Sequence, residues 1–273
     1  MTTPTTGETP VNREGLPPTL ELARVDDVLV VRLNRAAKRN ALDLATVDGL
    51  EAVFADPPEW ARAAVVDADG EHFSAGLDFA SLTDLDPVAS LHHSRRWHAA
   101  FDTIERGRIA VVAVLRGAVI GGGLELASAC HLRVAEPSAY FALPEGQRGL
   151  FVGGGASVRV PRLIGVHRVM DMMLTGRVIS AADAVPLGLA QYAADEGAGY
   201  GLALELASKI ATTPTMTTYA ALHALPRIAD ADPDKGLYLE SLMAAIASSS
   251  EEAQALMGEF LAGRGARVTQ HDR

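Results

Sequence analysis

The segment Val111–His131, VVAVLRGAVIGGGLELASACH, constrains this chain more than any other stretch. It opens with Val111, Val112, Ala113, Val114 and Leu115, small and β-branched apolar residues that suit a buried strand. Three glycines follow, Gly121, Gly122 and Gly123, and then Leu-Glu-Leu-Ala-Ser-Ala, a helix-favouring run. The glycines therefore stand where a loop enters a helix. Glycine at such a point lets another group approach the backbone closely. The first N–H groups of a helix lack intrahelical acceptors and carry partial positive charge, so they suit an anion or a developing oxyanion. Glu125 falls in the first turn and is a candidate proton carrier. A tight helix entry, with Glu125 merely favouring the dipole, accounts for the same residues.

The 273 residues suffice for one large domain, or for a core and a smaller lobe. A net charge of −10 argues against binding to a nucleic-acid backbone, which needs a basic footprint. The single cysteine, Cys130, lies in the apolar helix after the glycines and reads as a buried, inert thiol. No apolar run approaches the ~20 residues of a membrane span. Residues 1–18, rich in Thr, Pro and Gly, read as a flexible tail without the apolar core of a signal peptide. A cytoplasmic protein with no nucleic-acid or membrane partner is the expectation.

Leu20 to Leu33 alternates like a hairpin, with a turn at Asp26-Asp27. Asn34 to Asn40 is a polar loop carrying Arg35, Lys38 and Arg39, either a solvated surface or a phosphate contact. Helical spacing covers Ala41 to Phe54 and ends before Pro57-Pro58, and Ala63 to Asp67 is a short buried strand. His72 to Phe79, HFSAGLDF, is a second glycine turn. It is not a serine-hydrolase elbow, because His72 stands where that motif needs glycine. Asp86 to Arg106 predicts a helix ended by Gly107. Its histidines, His92, His93 and His98, lack the i, i+4 spacing of a helical zinc site and read as surface or capping residues. Strands are expected at Leu132–Ala135 and Ala139–Ala142, then Leu143-Pro144-Glu145 and a second glycine cluster, Gly149 and Gly153–Gly155. Helices are expected at 157–164, 167–175, 181–187, 199–212, 215–227 and 234–262. Short strands alternating with helices, then helices alone, indicate an α/β core followed by a helical region. A dinucleotide fingerprint fails at Leu126, and no Gly-Lys-Ser/Thr exists for a P-loop.

The strand–turn–strand after Glu125 can return Glu145 to the same helix entrance. Two carboxylates beside an oxyanion pocket can divide proton donation and abstraction. Taken in order, LNRAAKRNAL, EHFSAGLDF, RGAVIGGGLELASACHLRVAE, FALPEGQRGLFVGGGASVRVPRLIG and LTGRVISAADAVPLGLAQ resemble the enoyl-CoA hydratase/isomerase (crotonase) superfamily. The resemblance covers about residues 20 to 195.

It implies an α/β fold, a crotonase-like spiral of ββα repeats, over residues 19–198. A C-terminal helical region, residues 199–273, would serve oligomerisation and cover the active site. It further implies an oxyanion hole from the N–H groups of Leu77 and Gly122. Glu125 would orient and deprotonate water, and Glu145 would exchange a proton at Cα. Coenzyme A, present only as part of the thioester substrate, would lie near Lys38, with Ala41, Ala75, Gly76, Asp78, Gly121 and Pro144 as further substrate contacts. No bound cofactor and no metal are implied, and a homotrimer or a dimer of trimers is. The implied reaction is hydration of a 2-enoyl-CoA. Double-bond isomerisation, hydrolysis or retro-aldol cleavage use the same enolate, and a non-catalytic acyl-CoA-binding protein is the remaining alternative. The chain departs from the family pattern at Ala36, at Arg108-Ile109 and at Cys130-His131, where the family commonly has Pro, Lys-Pro and Cys-Asp.

Overall fold

The computed structural model describes residues 7–82 and 86–265. Thr9–Pro10 (β1) pairs antiparallel with Leu20–Val25 (β2). The expected tail, within its described part, therefore contributes an edge strand. β2 makes the predicted hairpin with Val28–Leu33 (β3) through Asp26, which takes φ +49°. Leu44–Ala55 (α1) begins at Asp43, whose carboxylate accepts the Thr46 N–H at 2.9 Å. Ala63–Ala68 (β4) precedes Pro87–Glu105 (α2), capped by Asp86. Ala110–Leu115 (β5), Ala118–Ile120 (β6), Gly122–Ala129 (α3), Leu132–Ala135 (β7) and Tyr140–Ala142 (β8) follow. Ala156–Ile164 (α4), Val166–Thr175 (α5), Ile179–Ser180 (β9), Ala181–Leu187 (α6), Tyr192–Ala193 (β10) and Gly199–Ala211 (α7) complete this part.

One sheet runs β1-β2-β3-β4-β5-β7-β10, parallel from β3 onward. A second, smaller sheet runs β6-β8-β9. The chain repeats a pattern of strand, strand, helix: β2-β3-α1, β5-β6-α3 and β7-β8-α4. After β4 the second strand shrinks to single bridges, Ser74 to Val119 and Leu42 to Leu77. This pattern passes each turn from the large sheet to a second layer and then to a helix, so loops from successive turns meet.

Every residue of β5 is buried. Val112 and Val114 pack with Val65 and Val134 against Ala203 and Ala207 of α7. Val111, Ala113 and Leu115 join the other core with Phe101 and Leu124. Cover on both faces explains why the segment is apolar without alternation. His131 closes this region. Its Nδ1 accepts the Val111 N–H at 3.0 Å, which leaves Nε2 to donate to the Glu105 carbonyl at 3.3 Å. A carboxylate at this position could not make the second bond.

By internal packing the chain divides into residues 1–211 and 212–273. α7, grouped with the C-terminal helices on sequence grounds, packs on the sheet. The second unit holds Thr215–Tyr219 (α8), Leu225–Ala229 (α9), Pro233–Ser248 (α10) and Glu251–Leu261 (α11). A π turn at Ala220–Ala224 joins α8 to α9, which fits Pro226, a residue that lacks an N–H and crowds the preceding turn. The single helix expected over 234–262 is two helices. Ser250 caps the second by accepting the Ala253 N–H at 3.2 Å. Among the described residues no helix is long and apolar enough to cross a membrane.

Candidate active site

Two backbone N–H groups meet at the entrance to α3. The segment after β4 is pinned on both sides: Leu42 N–H donates to the Gly76 carbonyl (2.7 Å), Asp78 N–H to the Leu42 carbonyl (2.8 Å) and Ile120 N–H to the Ser74 carbonyl (3.1 Å). Leu77 N–H is thereby left over. Gly76 has φ +89°, and a Cβ there would stand 2.5 Å from the Ile120 carbonyl oxygen and 3.1 Å from the Gly122 nitrogen. A Cβ on Gly122 would stand 3.3 Å from the Leu77 nitrogen. Leu77 N–H and Gly122 N–H are therefore neighbours, and neither has a protein acceptor among the described residues. Gly121, at φ +52°, supplies the tight entry, and its N–H is fixed on the Ala142 carbonyl at 2.9 Å.

Glu125 sits in the first turn of α3, 4% exposed. Its Oε1 accepts the N–H groups of Gly154 (2.7 Å) and Ala156 (3.1 Å). Burial pushes its carboxyl up to about 7, and the charge of Glu145 adds to the rise, while the two N–H groups oppose it. Glu145 lies on a short 3-10 turn, Pro144–Arg148, that begins with Pro144. Burial raises its carboxyl too, against its own backbone N–H and Arg148. A Cβ on Gly121 would stand 2.5 Å from Glu145 Oε1, so this carboxylate reaches the same helix entrance. Its Oε2 is buried with no partner among the described residues.

Both carboxylates and the Leu77 and Gly122 backbone line one cavity of about 590 Å³. The helix α2 forms one wall, with His93, Trp97 and His98, and Phe79, Leu150 and Phe151 lie among the apolar lining. His93 and His98 are thus half-buried cavity residues rather than the surface or capping residues expected; only His92 is exposed. Trp97 is buried, with His93 tilted over it (ring centroids 5.9 Å apart) and Phe101 edge-on (5.5 Å).

A separate cleft of about 440 Å³ is lined by Lys38, Ala41, Ala75, Leu77, Asp78 and Phe79, three of which also line the cavity. Lys38 Nζ lies 3.2 Å from Asp78 Oδ2, and Arg35 Nη1 lies 2.8 Å from the same oxygen. Burial works against the Asp78 charge, but the Ala80 N–H, Lys38 and Arg35 hold its carboxyl below the ordinary value. The cationic loop is therefore tied to Asp78 rather than simply solvated. All the residues read from the sequence as site candidates lie at this cleft, at the cavity or, for Pro144, at the turn that carries Glu145.

The sequence reading missed what holds Glu125. Gly154 and Ala156 lie in the stretch FVGGGASVRV, to which the sequence reading gave no role toward Glu125. Behind them the Arg159 guanidinium donates to the Gly154 carbonyl (3.1 Å), to Asp102 (2.9 Å) and to Glu105 (2.7 Å). Ser94 donates to the Gly153 carbonyl at 2.5 Å. These ties join positions far apart in the chain, and no local spacing announces them.

The sequence profile described as Enoyl-CoA hydratase/isomerase matches residues 24–270. The chain belongs to the enoyl-CoA hydratase/isomerase family. It is 32% identical over 204 residues to enoyl-CoA hydratase EchA19 of Mycobacterium tuberculosis, covering 72% of this chain and 76% of that protein. It is 39% identical over 146 residues to the fatty acid oxidation complex subunit alpha of Shewanella halifaxensis, covering 52% of this chain. This chain spans only about a fifth of that subunit's length, 21%. Among solved structures, a Rhodopseudomonas palustris CGA009 protein provisionally named an enoyl-CoA hydratase superposes with a TM-score of 0.88 at 52% identity, covering 90% of this chain and 95% of that one. The enoyl-CoA hydratase of Bacillus anthracis gives a TM-score of 0.85 at 26% identity, covering 91% and 98%. The strand–strand–helix repeats are thus those of the crotonase fold.

Proposed function

We propose that this member of the family is a hydratase that adds water across the double bond of a 2-enoyl-CoA. The observation that carries the reading is the pair Glu125 and Glu145 in one cavity with two adjacent, unused N–H groups. In this reading the thioester oxygen accepts from Leu77 and Gly122, which stabilise the charge that develops there. Water, deprotonated by Glu125, forms the bond to Cβ. The π electrons move toward Cα and the carbonyl oxygen as an enolate. Glu145 then delivers a proton to Cα. Burial raises both carboxyls above the ordinary carboxylate range, toward the range in which a general base or acid works.

Coenzyme A enters only as part of the substrate, along the cleft at Lys38 and Asp78, which requires Lys38 to exchange its carboxylate partner for phosphate. No bound cofactor or metal is needed. The reading carries with it a cytoplasmic location and assembly as a trimer or a dimer of trimers, as the family pattern implies.

The test is loss of the enoyl-thioester absorbance with a ladder of 2-enoyl-CoAs, for wild type, Glu125→Gln and Glu145→Gln. Both variants should lose turnover by at least about a hundredfold. Unchanged turnover in either one overturns the assignment. A 3-enoyl-CoA run beside the ladder separates isomerisation, which needs only one proton shuttle. Faster conversion of that substrate than of any 2-enoyl-CoA would make the protein an isomerase.

A further inference from the structure

The loop that grips Glu125 is itself gripped from α2. Glu125 Oε1 accepts the Gly154 N–H at 2.7 Å and the Ala156 N–H at 3.1 Å. Its Oε2 makes no hydrogen bond among the described residues and is the oxygen left to take a proton. On the other side of the loop, the Gly153 carbonyl accepts the Ser94 hydroxyl at 2.5 Å and the Gly154 carbonyl accepts Arg159 at 3.1 Å.

The Gly153 carbonyl and the Gly154 N–H belong to one peptide group. That group is trans, so the two point in opposite directions. Ser94 and Glu125 therefore hold the two ends of a single planar unit. Donation to the carbonyl draws electron density onto its oxygen and makes the N–H across the plane a stronger donor, as in any chain of hydrogen bonds. The chain from Ser94 ends on one of the two N–H groups that oppose the effect of burial on the Glu125 carboxyl.

The direction of this chain is fixed by chemistry. A carbonyl oxygen only accepts, so Ser94 spends its one proton on Gly153. His98 Nε2, 3.4 Å from the same Oγ, can meet it only as a donor. Ser94 is thus not aimed at the imidazole as a nucleophile is at its base, although both residues line the cavity. The ionisable groups around Glu125 are Glu145 and Arg159, whose charges act on it, and His93, Arg95, His98 and Arg148, which line the same cavity. Ser94 is uncharged and acts through the peptide alone.

Resting on the reading of Glu125 as the base, we propose that Ser94 is a positioning residue: it fixes the Gly153–Gly154 peptide with its N–H on Glu125 and so tunes that carboxylate as a base. The hydroxyl touches no reacting atom. What it controls is how firmly Oε1 is held, and hence how readily Oε2 takes a proton from water.

The experiment follows the titration of Glu125 in wild type, Ser94→Ala and Ser94→Thr. The infrared band of its carboxyl, assigned by its loss in Glu125→Gln, gives the midpoint in the resting protein. The acid limb of the kcat/KM profile for a 2-enoyl-CoA gives it in the working enzyme. Ser94→Ala leaves the Gly153 carbonyl without its donor and weakens the N–H, so the midpoint rises by about half a pH unit. Below the limb, kcat/KM then falls about threefold, while KM at the optimum changes little. Ser94→Thr keeps the hydroxyl and the wild-type midpoint. Should Ser94→Ala not fold, Ser94→Cys, whose thiol is a weaker donor, reads the same rise at smaller size. Lost packing alone would lower the midpoint in urea without moving the titration, so an unmoved titration overturns the proposal. An equal rise in Ser94→Thr does the same. Turnover retained by Glu125→Gln would sink the hydratase reading on its own, and the infrared midpoint would still decide whether Ser94 acts on Glu125.

Discussion

Replacing Glu125 with Gln separates its chemistry from its cost to the fold. The amide keeps Oε1 as an acceptor for the Gly154 and Ala156 N–H groups, bonds of 2.7 and 3.1 Å, so the loop keeps its anchor. What the variant loses is the buried titration. The native carboxyl is held at about 7 against an ordinary 4.5. Below the lower value it is protonated in both folded and unfolded chains and costs nothing. Between the two values the unfolded chain ionises while the folded one does not, and stability falls as pH rises. Above the upper value the whole penalty is present, about 3 kcal/mol. Gln pays none of it. The stability of Glu125→Gln relative to wild type should therefore rise by about 2–3 kcal/mol between pH 5 and pH 8, while turnover is lost at both. Urea denaturation followed by circular dichroism, at several pH values in that range, measures the difference. Parallel stability curves for the two proteins would refute the argument, since they would mean that the buried carboxylate carries no desolvation penalty.

Gly76→Ala places a Cβ 2.5 Å from the Ile120 carbonyl oxygen at φ +89° and forces the Leu77 and Gly122 N–H groups apart. It should lower kcat/KM by about a hundredfold or more with KM changed far less, and steady-state kinetics on a chain still folded by circular dichroism reads this. Cys130 is buried, and burial pushes its thiol up to about 12. A thiol reagent should label it only as fast as the protein unfolds, and rapid labelling of native protein by mass spectrometry would contradict this. Arg159→Gln should weaken the loop that holds Glu125 and lower stability by about 1–3 kcal/mol, because it removes the bonds to Gly154, Asp102 and Glu105. Its midpoint in urea checks the loss, and an unchanged midpoint would show that the buried guanidinium is dispensable.

Much of this fold is local in origin and was legible in the residues. The apolar run at Val111 fixes a two-sided buried strand, the three glycines fix a helix entrance, and the alternation from Leu20 to Leu33 fixes a hairpin. The break between α10 and α11 was also written in the chain, as Ser248-Ser249-Ser250-Glu251-Glu252, a capping signal inside an otherwise continuous helical pattern. Continuous helical spacing over 234–262 masks it. The carboxylates Glu125 and Glu145 were legible as a pair because one strand–turn–strand joins them and its length limits where the second can go.

The tertiary structure alone decided what surrounds them. Glu125 is gripped by Gly154 and Ala156, which Arg159 and Ser94 hold from behind, and these contacts join turns of the repeat that no periodicity relates. Histidine spacing along α2 spoke against a helical zinc site and for surface or capping residues, whereas His93 and His98 line the cavity. The packing of Trp97 against Gly122 and Gly154 is what brings this face of α2 to the wall of the cavity. Periodicity assigns a residue to a face of its own helix. Which element that face meets, and whether a polar atom there finds a partner, depends on how distant turns of the chain pack together.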